Sequence, residues 1–320
     1  MLSCKAFFRK GCLVNRNLGA YVQLSAAMVI VGSNVVVSKI ITSGFPVFLA
    51  SAVRFAIATS IMLPMLIRAE HGFPAIKRRD MLILFLQSFA GNFLFSVLLL
   101  YGLRLTGVAE SGIITGTTPA VTGLVSFLLL KEKMTWNKGA GILVATLGVV
   151  ILNIVGNAPG SGQGSNPVLG NLLVFGAVIG EAVWTILGKA ASGRVAALTG
   201  ASVTSALGML MFLPFALYDA GSFAFAAVPL VNWLPLLYYG VVGTVGAYLL
   251  WYRSLPRVST SIAGVFIGLL PVSATILSYI VLKEPFLWTH LMGMLCVLLA
   301  IVLVTWRPPQ IVEKEFAQRG

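Results

Sequence analysis

Ten apolar runs, separated by short polar or charged connections, make up most of this 320-residue chain. They fall at 18–38, 46–67, 81–103, 107–130, 139–155, 169–189, 196–218, 231–252, 258–282 and 286–306. A hydrocarbon core needs about 20 residues of helix to cross it. In that solvent every backbone polar group must be bonded within its own segment, so the runs predict helices and not strands. The expected fold class is all-α integral membrane, with ten transmembrane helices in two halves of five. Between the fifth and sixth runs lies GNAPGSGQGSNP, uncharged and without apolar period, which reads as a flexible connector. The division that follows is a basic segment 1–17, a first half 18–155, a linker 156–168, a second half 169–306 and a tail 307–320.

The two halves carry the same text. GIITGTTP at 112–119 is answered by GVFIGLLP at 264–271, and SFLLLKEKMTW by SYIVLKEPFLW. Gly112, Gly116, Pro119, Lys131, Glu132 and Trp136 each recur 152 residues later, as Gly264, Gly268, Pro271, Lys283, Glu284 and Trp288. Five crossings per copy is an odd number, so the second copy is expected to enter the membrane from the opposite side. That is an inverted-topology repeat, a recurrent design of transporters.

Composition agrees with a lipid environment. The chain is 58% hydrophobic and 10% charged, against roughly 25% charged residues in a soluble domain. A net charge of +13 raises the question of nucleic acid, but the basic residues sit in short loops between apolar runs. With the N-terminus taken as cytoplasmic, eighteen Lys and Arg fall on the cytoplasmic side and three (Lys39, Arg104, Lys283) on the other. This is an orientation signal; no nucleic-acid partner is expected, and both termini should face the cytoplasm. The first run is too long for a signal-peptide core and should stay as a helix. Cys4, Cys12 and Cys296 form no spaced ligand set. No Walker sequence, metal cluster or cofactor motif occurs, and nothing points to an enzyme.

The chemistry therefore rests on polar residues inside the runs. Arg54 lies within the second run, where a guanidinium must face protein or a wet cavity. It either grips a substrate carboxylate or pairs internally or snorkels outward. Glu181 in the sixth run is placed to exchange a proton during transport, or to bond a neighbouring helix or Arg54. Asn34, Gln87 and Asn92 line a cavity or bridge helices, and Trp184 and Tyr248 lie deep enough to stack on a ligand. Tyr101, Trp136, Trp251, Tyr252, Trp288 and Trp306 sit at run ends, as an interfacial belt would. Pro119 and Pro271 in mid-run should kink their helices and free the carbonyls of Thr115 and Ile267, marking hinges beside a cavity. Gly112, Gly116, Gly264 and Gly268 allow close helix packing. Glu132 and Glu284 read as corner-locking residues, and Glu110 as a cap or a partner of Arg104.

The repeated Pro, Ser, Leu-Lys-Glu, Trp and Gly, each following a Tyr-bearing run end (Tyr101, Tyr252), resemble the EamA-type repeats of the drug/metabolite transporter superfamily. Gly32-Ser33-Asn34 with Lys39, and Arg54-Phe55, resemble that family's first repeat, and the likeness covers residues 18–306. It implies two inverted five-helix halves around a central cavity, alternating access, and export of amino acids or related metabolites across a bacterial inner membrane. The partners implied are a small-molecule solute and the bilayer. Two departures stand out: Val31 where relatives carry Trp, and Glu181. Drug or nucleoside efflux is the alternative within transporters; a non-transporting scaffold or lipid-handling protein is the alternative outside them.

Overall fold

The computed structural model describes residues 3–42, 44–72, 74–106, 111, 114–132, 134–155, 165–225, 228–281, 283 and 288–305. These are helical almost throughout: α1 (Ser3–Thr42), α2 (Val47–Ala69), α3 (78–105), α4 (Thr118–Leu130), α5 (Trp136–Val155), α6 (Pro167–Ala191), α7 (Ala197–Ser222), α8 (Leu230–Arg257), α9 (Thr260–Val281) and α10 (Trp288–Thr305). Among the described residues, eight helices are long and apolar enough to cross a membrane, while Thr118–Leu130 and Trp136–Leu152 are shorter apolar stretches. No strand ladder occurs among the described residues, only an isolated bridge between Ser192 and Val195.

The outer surface is as apolar as the core. Leu129, Leu217 and Ile280 are 67%, 64% and 68% exposed, an arrangement that lipid tolerates and water does not. Inside, helix axes approach through small residues. A Cβ on Gly148 or on Gly293 would meet the other's carbonyl oxygen, so α5 and α10 touch backbone to backbone. A Cβ on Gly264 would press on Thr122 of α4, and one on Gly116 on the backbone of Val150. One on Gly268 would sit against Val297 and Val149. Gly112 lies outside the described residues.

Contacts between the two halves come in matched pairs. Corresponding helices pack on each other, α2 along α7 and α5 along α10. The contact of α1 with α9 is answered by α6 with α4, and that of α1 with α8 by α6 with α3. Chain turns gather at two ends. At one, which we call the Lys131 end, Arg194 meets Asp80 and Glu132 meets Thr260. At the other, the Lys283 end, the Asn166 N–H donates to the Leu105 carbonyl and Phe45 packs edge-on against Trp233. Lys131 and Lys283 both adopt left-handed backbone, φ 51° and 54°, where a C-terminal glycine usually stands.

Four features depart from the sequence expectation. α1 begins at Ser3, well before residue 18. The fourth run does not kink at a mid-helix proline: a turn at Thr117 separates 114–116 from α4, and Pro119 falls in the first turn of the restarted helix, where a missing N–H is harmless. The Thr115 carbonyl is taken by the Thr118 hydroxyl at 2.8 Å. In α9 the equivalent break is at Gly268, ahead of Pro271. Pro64 in α2 and Pro214 in α7 do lie inside unbroken helices, themselves 150 residues apart. Finally, α3 and α8 each contain a π turn, Phe89–Leu94 and Tyr239–Gly246, at matching points of the two halves.

Candidate functional site

A cavity of about 430 Å³ lies between helices of both halves. On α1 and α3 its lining begins near mid-helix and runs toward the Lys283 end, and on α2 it is met only at Arg54, close to that end; on α6 and α8 it continues past mid-helix to Trp184 and Trp251. The space thus occupies the middle of the molecule and, along α1, α2 and α3, the half nearer Lys283. The wall is chiefly apolar, interrupted by a small set of polar side chains, the usual constitution of a small-molecule site.

Arg54, Asn34, Asn92, Trp184, Tyr248 and Glu181 all line this cavity, as do Thr115, Pro119 and Pro271. Their bonding divides them. Asn92 is fully engaged: its Nδ2 donates to Ser88 Oγ at 3.1 Å and its Oδ1 accepts from the Tyr248 hydroxyl at 2.8 Å. Gln87 is likewise a bridge, donating to the Trp184 carbonyl at 3.1 Å and accepting from the Tyr252 hydroxyl at 2.9 Å. These two amides of α3 fix α6 and α8 in place.

The others keep unpartnered atoms. The Arg54 guanidinium carbon lies 4.4 Å from the Phe55 ring centroid and 4.6 Å from that of Tyr239. Such stacking is worth about 0.5–2 kcal/mol. Arg54 has no carboxylate partner among the described residues, and its Nε is buried without a hydrogen bond. Asn34 uses Nδ2 on the Gly243 carbonyl at 3.1 Å and leaves Oδ1 buried and unpaired. Trp184 stacks on Trp251 at 5.2 Å, and neither indole N–H finds an acceptor. Glu181 Oε2 lies 3.2 Å from the Thr118 hydroxyl, whose single proton it shares with the nearer Thr115 carbonyl, and makes no pair with Arg54. A buried polar group without a partner costs about 1–3 kcal/mol. Several such atoms around one space mark a place where the missing partners come from outside the chain.

At the Lys131 end the charged side chains Glu132, Lys189 and Asp80 are paired, although the hydroxyls of Ser126, Ser259 and Thr260 are buried without a partner. Glu132, just past α4, accepts from the Thr260 and Ser261 backbone N–H groups at 2.6 and 3.2 Å and from the Ser261 hydroxyl at 2.8 Å, capping α9. Burial alone would raise its pKa, but these hydrogen bonds hold it below the ordinary carboxylate value. Lys189 Nζ, at the end of α6, donates to the Leu255 and Val258 carbonyls at 2.7 and 2.6 Å. Arg194 Nε donates to Asp80 Oδ1 at 2.7 Å. Sequence reasoning placed Glu132 at a corner but gave Lys189 and Asp80 no role. Glu284, Glu110, Trp306 and the Arg104 side chain lie outside the described residues. Trp136 and Trp288 are 87% and 75% exposed, as belt residues would be; Trp251 and Tyr252 are buried instead, because α8 runs on to Arg257 and carries them inward. No group of three or more potential metal ligands occurs among the described residues.

Residues 18–154 and 168–306 each match the model of the EamA-like transporter family. The chain is 44% identical to the uncharacterized transporter YetK of Bacillus subtilis, over 94% of this chain and 91% of that protein. It is 23% identical to the uncharacterized transporter YyaM of the same organism, over 90% and 93%. A solved crystal structure superimposes with a TM-score of 0.73 at 18% identity, covering 89% of this chain and 96% of that one; at that identity the likeness is one of fold.

Proposed function

The chain belongs to the EamA-like transporter family, and on that premise we propose that it is a secondary carrier exporting amino acids or related small metabolites by alternating access. That it is a multi-pass membrane transporter, and not an enzyme, follows from the family and its relatives. The finer reading comprises ten crossings, two inverted five-helix halves, and both termini on the cytoplasmic side of a bacterial inner membrane. Its support is the matched pairing of helices across the halves, the left-handed corners at Lys131 and Lys283, and the lopsided Lys and Arg distribution.

The observation that carries the substrate reading is the set of unpartnered polar atoms around the cavity, above all Arg54 without a carboxylate. A guanidinium in an apolar setting is costly unless an anion joins it, and a carboxylate-bearing solute supplies one bidentately. Asn34 and Trp184 offer an acceptor and a donor to the same guest. Glu181, bonded through its carboxyl to Thr118 alone among the described residues, is the group proposed to carry a proton. Pro119 and Pro271 follow the breaks in α4 and α9, where bending would accompany the change of access.

A second reading has its own observation. The Trp184–Trp251 stack, with Tyr248 and Tyr252 beside it, suits a flat drug-like or nucleoside solute. Counterflow in proteoliposomes separates the two. A labelled amino-acid mixture should be carried, outward flux should respond to an imposed pH gradient, and Glu181→Gln should abolish that response. Carriage of nucleosides but not amino acids would replace the first reading with the second.

A further inference from the structure

The π turns of α3 and α8 each present a glycine to the cavity, Gly91 and Gly243. They are 152 residues apart, the spacing that also relates Pro119 to Pro271. Neither position has room for a side chain. A Cβ at Gly91 would collide with Cβ, Cγ and Cδ1 of Trp184, and a Cβ at Gly243 with the amide group of Asn34. Asn34 and Trp184 correspond as well, standing five residues before Lys39 and Lys189 in α1 and α6. So each half supplies a notch that seats one cavity-lining side chain of the other half. One notch holds an amide and the other an indole. A π turn inserted in an α-helix re-aims the backbone locally and recurs at functional sites, and here both turns receive their neighbour's side chain.

We propose that Asn34 and Trp184 determine the specificity of the cavity, and that Gly243 and Gly91 are positioning residues that set how far each projects into it. The inference rests on the transporter reading above. The atoms the two side chains leave unpaired are complementary: Asn34 Oδ1 accepts and Trp184 Nε1 donates. The guest they suit carries a hydrogen-bond donor at one side, an acceptor at the other, and an apolar face to lie on the Trp184–Trp251 stack. The two notches differ in what a methyl group would do. At Gly243 the clash is with the far end of Asn34, which can swing off the Gly243 carbonyl and into the cavity. At Gly91 it includes the Trp184 Cβ, so α6 itself must move.

The test is counterflow of a labelled amino-acid mixture in proteoliposomes, competed by unlabelled solutes graded from small and polar to large and apolar, with melting measured for each variant. Gly243→Ala and Asn34→Ala should shift the ratio of polar to apolar inhibition constants in the same direction, by about tenfold. Trp184→Ala should shift it the opposite way by a similar factor. Gly91→Ala should melt low, and Gly91→Ala with Trp184→Ala should recover most of the loss. Wild-type protein that carries nothing from the mixture would overturn the amino-acid reading, and this inference with it. Wild-type flux with ratios unchanged in Asn34→Ala and Trp184→Ala overturns the specificity roles alone. Absence of rescue in the double variant overturns the seating of Trp184 by Gly91.

Discussion

Glu132 and Arg54 are both charged side chains set against apolar helices, yet the fold treats them in opposite ways. Glu132, at the Lys131 end, receives three hydrogen bonds from the start of α9. Lys189 and the Asp80–Arg194 pair fasten the same end. Arg54, in the half toward Lys283, has two aromatic faces and no anionic partner among the described residues, beside Asn34 and Trp184 with atoms to spare. Satisfied polar groups give rigidity, whereas unsatisfied ones cost stability that a fold keeps only where something else uses it. Among the charged groups, the contrast therefore separates a fastened end from a receptive cavity.

The sharpest way to break that contrast is to remove the cation. Arg54→Ala should lower amino-acid counterflow by at least about tenfold, since a charge-assisted pair is worth roughly 1.5–3 kcal/mol, while melting stays level or rises. Arg54→Lys, with a point charge and no planar fork, should fall between. Unchanged flux in Arg54→Ala would remove this residue from the solute's path.

Glu132→Ala tests the fastened end. It strands two backbone donors at the head of α9 and should cost about 2–3 kcal/mol, read as a lower melting temperature in detergent. The pH dependence has a definite sign. Because the folded pKa is depressed, the carboxylate's contribution is complete above the unfolded value of about 4.3. It is lost as pH falls through the lowered folded value. Glu132→Gln should flatten this acid limb; an identical limb in the variant would assign it to other groups.

Asp80→Asn should matter less, by about 1 kcal/mol or under, because Arg194 is 45% exposed and solvent screens the pair. Added salt should reproduce much of the change in the wild type. The smallest expected effect is a gain. Lys131→Gly relieves left-handed backbone at a residue with a Cβ and should stabilise by about 0.5–1 kcal/mol.

Much of this arrangement was legible in the chain. Run lengths mark the helices, and the 152-residue offset ties the Lys131 corner to that of Lys283, which share the left-handed backbone. Arg54, Asn34, Glu181 and Trp184 interrupt apolar runs, and all four line the cavity. What escaped depends on how helices meet. The π turns at Gly91 and Gly243 answer to side chains some hundred or more residues away, although the matched glycine spacing was there to be read. Lys189 looked like one more loop charge, because nothing local shows that it folds back onto the carbonyls before α9. Pro119 looked like a mid-helix kink because periodicity cannot register the turn at Thr117. Trp251 and Tyr252 were misplaced in the interfacial belt because α8 extends past its apolar run.

The difference between the two ends is tested most directly by one-sided chemical access to the cavity. Val31, which lines it, would be replaced by cysteine in a chain whose own Cys4, Cys12 and Cys296 are changed to serine, and oriented vesicles treated with a membrane-impermeant maleimide. The account predicts rapid labelling from the Lys283 side, slow labelling from the Lys131 side, protection by transported solute, and faster Lys131-side labelling once Glu132→Ala is added. Equal labelling from both sides, indifferent to Glu132, would contradict it.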